Sequence, residues 1–177
     1  MSLSIRLLSG SILMFGACFF SGCEKEVIAP DQADVLDTPE SAEEAAAALT
    51  GGVAGSAEEV DEDGHALWEV YVDMPNGAEL EVLLFVDSGD LFEIKDDSGP
   101  FDYDDLDPLP GQLTYSQGRE VALGTVAGDQ TFWEVKFTDD GYFYEFYVRE
   151  AGDQLWEIKL WADDGEVYVT EAVDEVD

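Results

Sequence analysis

Carboxylates apart, few residues in this chain could do chemistry. One histidine, His65, and two cysteines, Cys18 and Cys23, stand against 42 acidic side chains. His65 follows the turn glycine Gly64, a place that rarely positions an imidazole for a Ser-His-Asp or Cys-His relay. Zinc lacks its usual nitrogen and sulfur ligands. Paired carboxylates are the one catalytic device the composition offers, yet with so many acids close pairs arise by chance and single out no acid-base site. A hydrolase is therefore the weakest reading, and no catalytic residue and no cofactor is assigned.

Calcium is harder to set aside. The run "DDSGPFDYDDLD" (96–107) holds Asp96, Asp97, Asp102, Asp104, Asp105 and Asp107, and hard cations prefer oxygen ligands. Neither this run nor "DEDGH" (61–65) has the spacing of a helix-flanked calcium loop, so no metal ligand set is assigned. A divalent-cation-binding envelope protein stays open as the alternative function.

Cys23 is the residue with the most definite chemistry. Residues 1–22 carry Arg6, then Leu7-Leu8 and the apolar stretch Ile12 to Phe20, which is the build of an export signal and too short to span a bilayer. Ser21-Gly22-Cys23 resembles the bacterial lipobox, in which the cysteine thiol is acylated and becomes the new N-terminus. Phe20 stands where that pattern has an aliphatic residue. An ordinary signal peptide with a later cut is the other reading. After cleavage at Cys23 no second thiol would remain for a disulfide, so the body must hold by burial alone. The overall charge of −35, less Arg6, becomes −36. Neither nucleic acid nor an anionic membrane surface attracts such a body, which leaves membrane attachment to the lipid.

Five further segments follow. Residues 23–38 lack helix or strand period and read as a flexible tether. "TPESAEEAAAALTGG" reads as a helix, with Thr38-Pro39 at its start, a Ser41 to Glu44 capping box and a Gly51-Gly52 stop. "ALWEVYVD", "ELEVLLFVD" and "LFEI" read as three antiparallel strands parted by the turn residues Asn76-Gly77 and Ser88-Gly89. A shift of 76 then lays residues 68–94 on 144–170 without a gap. Seven of those 27 positions are identical, Glu69/Glu145, Tyr71/Tyr147, Val72/Val148 and Glu81/Glu157 among them. Val53-Ala54-Gly55 matches Val126-Ala127-Gly128 at a shift of 73, which places three extra residues ahead of the second set of strands. The pattern predicts a tandem duplication.

Each half resembles a PepSY or PepSY-like module on "LDPLP" (106–110), "FWEVKFTDDGYFYEFYV" and "LWEIKLWADDGEVYV", and on "WEVYV" and "GAELEVLLFVDSGDLFEI". The resemblance implies an α+β fold of two repeats, each a helix followed by a three- to four-stranded antiparallel β-meander. Repeat 1 would span 39–97, an acidic linker 98–106, repeat 2 107–172 and an acidic tail 173–177. It also implies a non-enzymatic binding or inhibitory role outside the cytoplasm, an envelope protease being one target, and supplies no catalytic residues.

Alternation assigns Trp133, Val135, Phe137, Tyr144, Phe146, Val148, Trp156, Ile158 and Leu160 to the helix side of the second repeat. The other face then carries Phe143, Tyr147, Arg149, Lys159 and Trp161. In the first repeat that face shows no base. Two readings of it stand: salt-paired, solvated side chains covered in part by the other repeat, or a surface through which an unknown envelope protein docks. The expected location is the cell envelope, on the outer membrane facing the periplasm in a two-membrane cell, because Glu24 rather than Asp follows the cysteine. Cys23→Ser is expected to abolish incorporation of a fatty-acid analogue such as labelled palmitate; incorporation that persists in the variant refutes thiol acylation.

Overall fold

The computed structural model describes residues 36–103 and 105–176, so Cys23, the signal segment and all but the last three residues of the tether lie outside the described residues. The element order is α1 (Pro39–Thr50), β1 (Val53–Glu62), β2 (His65–Asp73), β3 (Glu79–Phe85), β4 (Leu91–Asp96), α2 (Tyr115–Thr125), β5 (Asp129–Thr138), β6 (Gly141–Arg149), β7 (Leu155–Trp161) and β8 (Val167–Val173).

Both helices start on the same device. Thr38 is extended, its hydroxyl accepts from the Ser41 N–H, and the Ser41 hydroxyl accepts from the Thr38 N–H. Thr114 and Gln117 repeat this at α2. Each exchange satisfies two of the amides that a helix start leaves without a partner. The capping box of α1 therefore sits three residues earlier than the Ser41 to Glu44 spacing suggests. Ala42, Ala46 and Thr50 form the buried stripe of α1 at intervals of four, and Gly51 ends it at φ 76°. In α2 the mid-helix Gly118 has a packing reason: a Cβ there would come within 3.3 Å of the Tyr144 ring, so its absence lets the helix lie close on β6.

The eight strands form one antiparallel sheet in sequential order, β1 to β8. This corrects the expected fold class. Rather than two helix-plus-meander repeats, β4 pairs with β5 through Glu93↔Lys136, Ile94↔Val135, Lys95↔Glu134 and Asp96↔Trp133, giving a mostly β body with two helices. The reason is physical: two separate meanders would each expose another pair of unpaired edges, and joining them removes two. The three extra residues expected before the second set of strands are also absent. β5 begins 76 residues after β1, and Gly128 lies against Val148 and Arg149 as Gly52 lies against Val72 and Asp73, where a Cβ would collide.

One face of the sheet and the helices enclose the main core, built on Trp68, Val70, Val72, Leu80, Val82, Leu84, Ile94, Trp133, Val135, Tyr144, Phe146, Val148, Ile158 and Leu160. Residues 98–114 roof it. Tyr103, Leu106 and Leu109 are buried there, and Tyr103 and Tyr115 set their rings 5.7 and 4.6 Å from Trp133. Tyrosine hydroxyls tie the roof to the sheet, Tyr115 to the Phe101 carbonyl and Gln130, Tyr144 to the Leu113 carbonyl at 2.8 Å. At the other end Leu36, read as tether, is docked: its N–H donates to the Val86 carbonyl and its carbonyl accepts from Trp68 Nε1.

Two side chains assigned to the core lie at its margin. Phe137 packs with Phe85 and Phe92 on the sheet's other face, and Trp156 is half-buried, its Nε1 donating to Glu150 at 3.2 Å. Leu80, 76 residues before Trp156, is wholly buried. Leu80→Ala is therefore expected to cost about 2–5 kcal/mol in denaturant unfolding, and Trp156→Ala only about 1–2 kcal/mol. Equal losses would place Trp156 in the core after all.

Candidate functional site

The face opposite the helices has the densest polar arrangement in the described chain. It arises because alternation puts Glu81, Glu93, Lys95, Glu134, Lys136, Glu145, Glu157 and Lys159 side by side across β3 to β7. Two small apolar clusters flank this belt. Leu67, Leu83 and Phe92 with Val60, Phe85 and Phe137 form one, and Phe132, Tyr147 and Leu155 with Val173 the other.

The lysines neutralise carboxylates that the clusters bury. Lys95 meets Glu81 at 2.8 Å and Glu93 at 3.5 Å; Lys136 meets Glu62 at 2.8 Å and Glu93 at 2.9 Å; Lys159 meets Glu145 at 2.8 Å and Glu157 at 2.7 Å. Glu93, Glu145 and Glu157 are all buried, so these contacts offset the cost of taking three charges out of water. Burial pulls the ammonium of Lys136 down, but hydrogen bonds to Glu62 and Glu93 outweigh it and raise its pKa; Glu145 and Glu157 do the same for Lys159. Lys136 also stands 5.1 Å over the Phe92 ring. Glu62 belongs to β1, four strands from β5, so the sheet must curl until the β1–β2 hairpin tip reaches across this face.

That curl leaves a cleft of about 560 Å³ lined by Glu62, Glu93, Lys95, Glu134, Lys136 and Val176 among others. Glu134 is the exception within it. It lies between Lys95 and Glu145 in the ladder but has no ion pair within 4 Å among the described residues. Burial, then the charges of Glu93 and Glu145, push it up to about 8. A carboxylate set among like charges without a cation of its own holds its proton more tightly.

The five residues expected to dock a partner do share this face, in different states. Phe143 is buried beside Trp161 in the ladder, with Lys159 5.6 Å over its ring. Tyr147 is buried, edge-on to Phe132 at 5.4 Å. Lys159 is taken up by its two glutamates. Arg149 is exposed and donates to the Asp153 carbonyl. Trp161 is half-buried and stacks on Tyr168 at 4.7 Å, and Tyr168 itself is 42% exposed.

No protein-family model and no curated protein matches the chain. Among solved structures, the crystal structure of a "putative lipoprotein" (CD1622) from Clostridium difficile 630 is similar, at 21% identity and a TM-score of 0.36, over 66% of this chain and 83% of that one. A likeness that distant carries no functional argument. The resemblance to PepSY modules gains no support from these comparisons.

Alternation carried one residue further along β4 brings out two more members of the face. "LFEIKD" places Glu93 and Lys95 on one face and Ile94 on the other, which corrects the expectation that the first half of this face lacks a base; the strand was read as stopping at Ile94. Alternation puts Glu134 on this face too, but nothing local marks it as unpaired. In the acidic run 96–107, the Asp96 carboxylate accepts from the N–H groups of Ser98 and Gly99 and from the Tyr103 hydroxyl. It organises a turn. No group of three or more His, Cys, Asp or Glu side chains able to hold a metal ion occurs among the described residues.

Glu134 yields a pH test. With its folded pKa raised above the unfolded value near 4.5, the native state binds the extra proton, so its contribution is favourable in acid and is lost as pH climbs from about 4.5 to 8. Glu134→Gln is expected to leave stability unchanged at pH 5 and to raise it by about 1–2 kcal/mol at pH 9, allowing for screening in an open cleft. Urea unfolding at both pH values checks this; equal effects at both would mean Glu134 does not titrate between them.

Proposed function

We propose that this protein is a lipoprotein held in the cell envelope through acylated Cys23, and that its sheet body binds a protein partner and catalyses nothing. The observation that carries the reading is the helix-free face: its lysines are saturated by glutamates, while Trp161 and Tyr168 stay accessible at one end of the β6–β7 ladder and Arg149 is exposed at the other. Accessible rigid rings and arginines are the usual makings of a binding hot spot. Among the described residues no helix is long and apolar enough to cross a membrane, so attachment in this reading comes from the acyl chains.

Of the five residues, Trp161 and Arg149 would meet the partner directly, and Phe143, Tyr147 and Lys159 would hold the surface beneath them. The partner is an envelope protein. Inhibition of an envelope protease is the form of binding that the PepSY resemblance implies, and orientation toward the periplasm is the form of localisation implied by Glu24.

Trp161→Ala with Arg149→Ala, in the full-length chain, is expected to reduce retention of envelope proteins at least fivefold, roughly 1 kcal/mol of binding, with the melting temperature within about 2 °C of the parent. Retention that is unchanged in the double variant would move the binding surface elsewhere.

A further inference from the structure

The sheet uses one irregularity twice. Between β3 and β4 the register slips at Leu83/Leu84, so the neighbours Phe92 and Glu93 both stand on the helix-free face. Between β7 and β8 it slips at Lys159/Leu160 and does the same for Tyr168 and Val169, each 76 residues further on. Such a bulge re-aims a side chain. Phe92 is set edge-on to Phe85 at 5.4 Å, and Tyr168 is stacked on Trp161.

The surroundings of the two rings differ in one respect. β5 follows β4 in the sheet and closes over Phe92, which is 2% exposed, with Lys136 above the ring and Phe137 against Phe85. Among the described residues no strand pairs with the outer edge of β8, and Tyr168 is 42% exposed. The four β4 residues that pair with β5 are Glu93 to Asp96. Their counterparts in β8 are Val169, Thr170, Glu171 and Ala172, of which Val169 and Glu171 face Lys159 and Glu157 on the helix-free side. Glu171 is exposed and has no cation among the described residues.

We propose that the outer edge of β8, with the Trp161–Tyr168 pair beside it, receives an extended segment of a partner protein, which adds as a ninth antiparallel strand and carries a basic residue opposite Glu171. Edge addition takes affinity from main-chain hydrogen bonds and specificity from alternate side chains. The seam between β4 and β5 supplies the pattern, opposing Lys95 to Glu134 and Glu93 to Lys136. A second copy of this chain does not meet it. Of its two free strands, β8 carries no base, and β1, whose counterparts of Trp133 to Lys136 are Ala57 to Val60, would set Glu58 against Glu171 and Glu59 beside Thr170. Like charges directly opposite repel, and both bodies are strongly acidic. The inference rests on the protein-binding reading above and names the chemistry of the partner.

The probe is a labelled synthetic strand with the sequence of β5, Asp129–Thr138, made unchanged and with Glu134→Lys. Titrated against the full-length protein in detergent, the Glu134→Lys strand is expected to bind about tenfold more tightly than the unchanged one. In the Glu171→Lys protein that order should reverse. Tyr168→Ala is expected to weaken the Glu134→Lys strand severalfold without moving the melting temperature. A preference that Glu171→Lys does not change, or binding of neither strand, overturns the edge assignment, as does sedimentation of the protein as a β8-mediated dimer. Retention of envelope proteins through Trp161 and Arg149 with no strand binding would sink this inference and leave the protein-binding reading standing.

Discussion

Four residue pairs between β4 and β5 hold two four-stranded halves in one sheet. On the helix side the seam carries Ile94 against Val135 and Asp96 against Trp133, and on the other Glu93 against Lys136 and Lys95 against Glu134. Each of the other features leans on it. The roof, which leaves β4 and enters α2, covers a core that both halves share because β4 and β5 are neighbours. Asp96, at the end of β4, turns the chain upward into that roof by accepting from two amides and from Tyr103. Lys136, at the other end of the seam, gathers Glu93 from β4 and Glu62 from β1, which fixes the curl of the sheet. Were the seam to open, Glu93 would be left buried without Lys136, a far larger cost than losing one exposed ion pair.

The charge of the protein explains where its few cations went. Net charge near −35 gives solubility and repels wrong partners, but any carboxylate forced under a neighbour must find a positive group or a proton. Lys95, Lys136 and Lys159 serve six glutamates and aspartates on one face, and Glu134, left over, takes the proton instead. The gathering of three lysines on the helix-free face therefore has a structural cause. It does not by itself create a positive patch, and Lys159 in particular offers a partner little that Glu145 and Glu157 have not already claimed.

Local signals were legible where local physics decides. α1 shows in its Ala-rich stripe and Gly51, and β2, β3, β6 and β7 show in alternation and in turn glycines such as Gly77. β1 was missed because "VAGSAEEVDE" is an edge strand with acids on both sides of the ribbon and has almost no apolar alternation. α2 is harder to place because Gly111 lies shortly before it and Gly118 within it, and its Thr114 to Gln117 box is the one local mark of its start. Phe92 and Tyr168 defeat a period of two, since a bulge puts consecutive residues on one face. The seam itself has no local signal: β4 and β5 lie more than thirty residues apart, and only the cost of open edges argues that they meet. Of the candidate site, the membership of the face could be read from alternation, but burial of Phe143 and Tyr147, and the isolation of Glu134, depend on how far the sheet curls.

An edge strand of about four residue pairs with one ring pair beside it would bury far less than the roughly 1,200–2,000 Å² of a stable protein interface, so contact through β8 would be weak and short-lived in dilute solution. Anchoring changes the arithmetic. In the proposed reading both the protein and its partner are confined to one membrane surface or the narrow space beside it, which raises their effective concentration toward the roughly millimolar range known for linked modules. A contact with a millimolar dissociation constant is then substantially occupied. Attraction of a basic segment by the acidic body would speed the encounter, at a rate that falls with ionic strength, while the Trp161–Tyr168 rings would set its lifetime. On that view Tyr168 stays uncovered for the same reason that Phe92 is sealed: β5 is supplied by the chain itself and must be permanent, and a ninth strand supplied by another molecule must be able to leave.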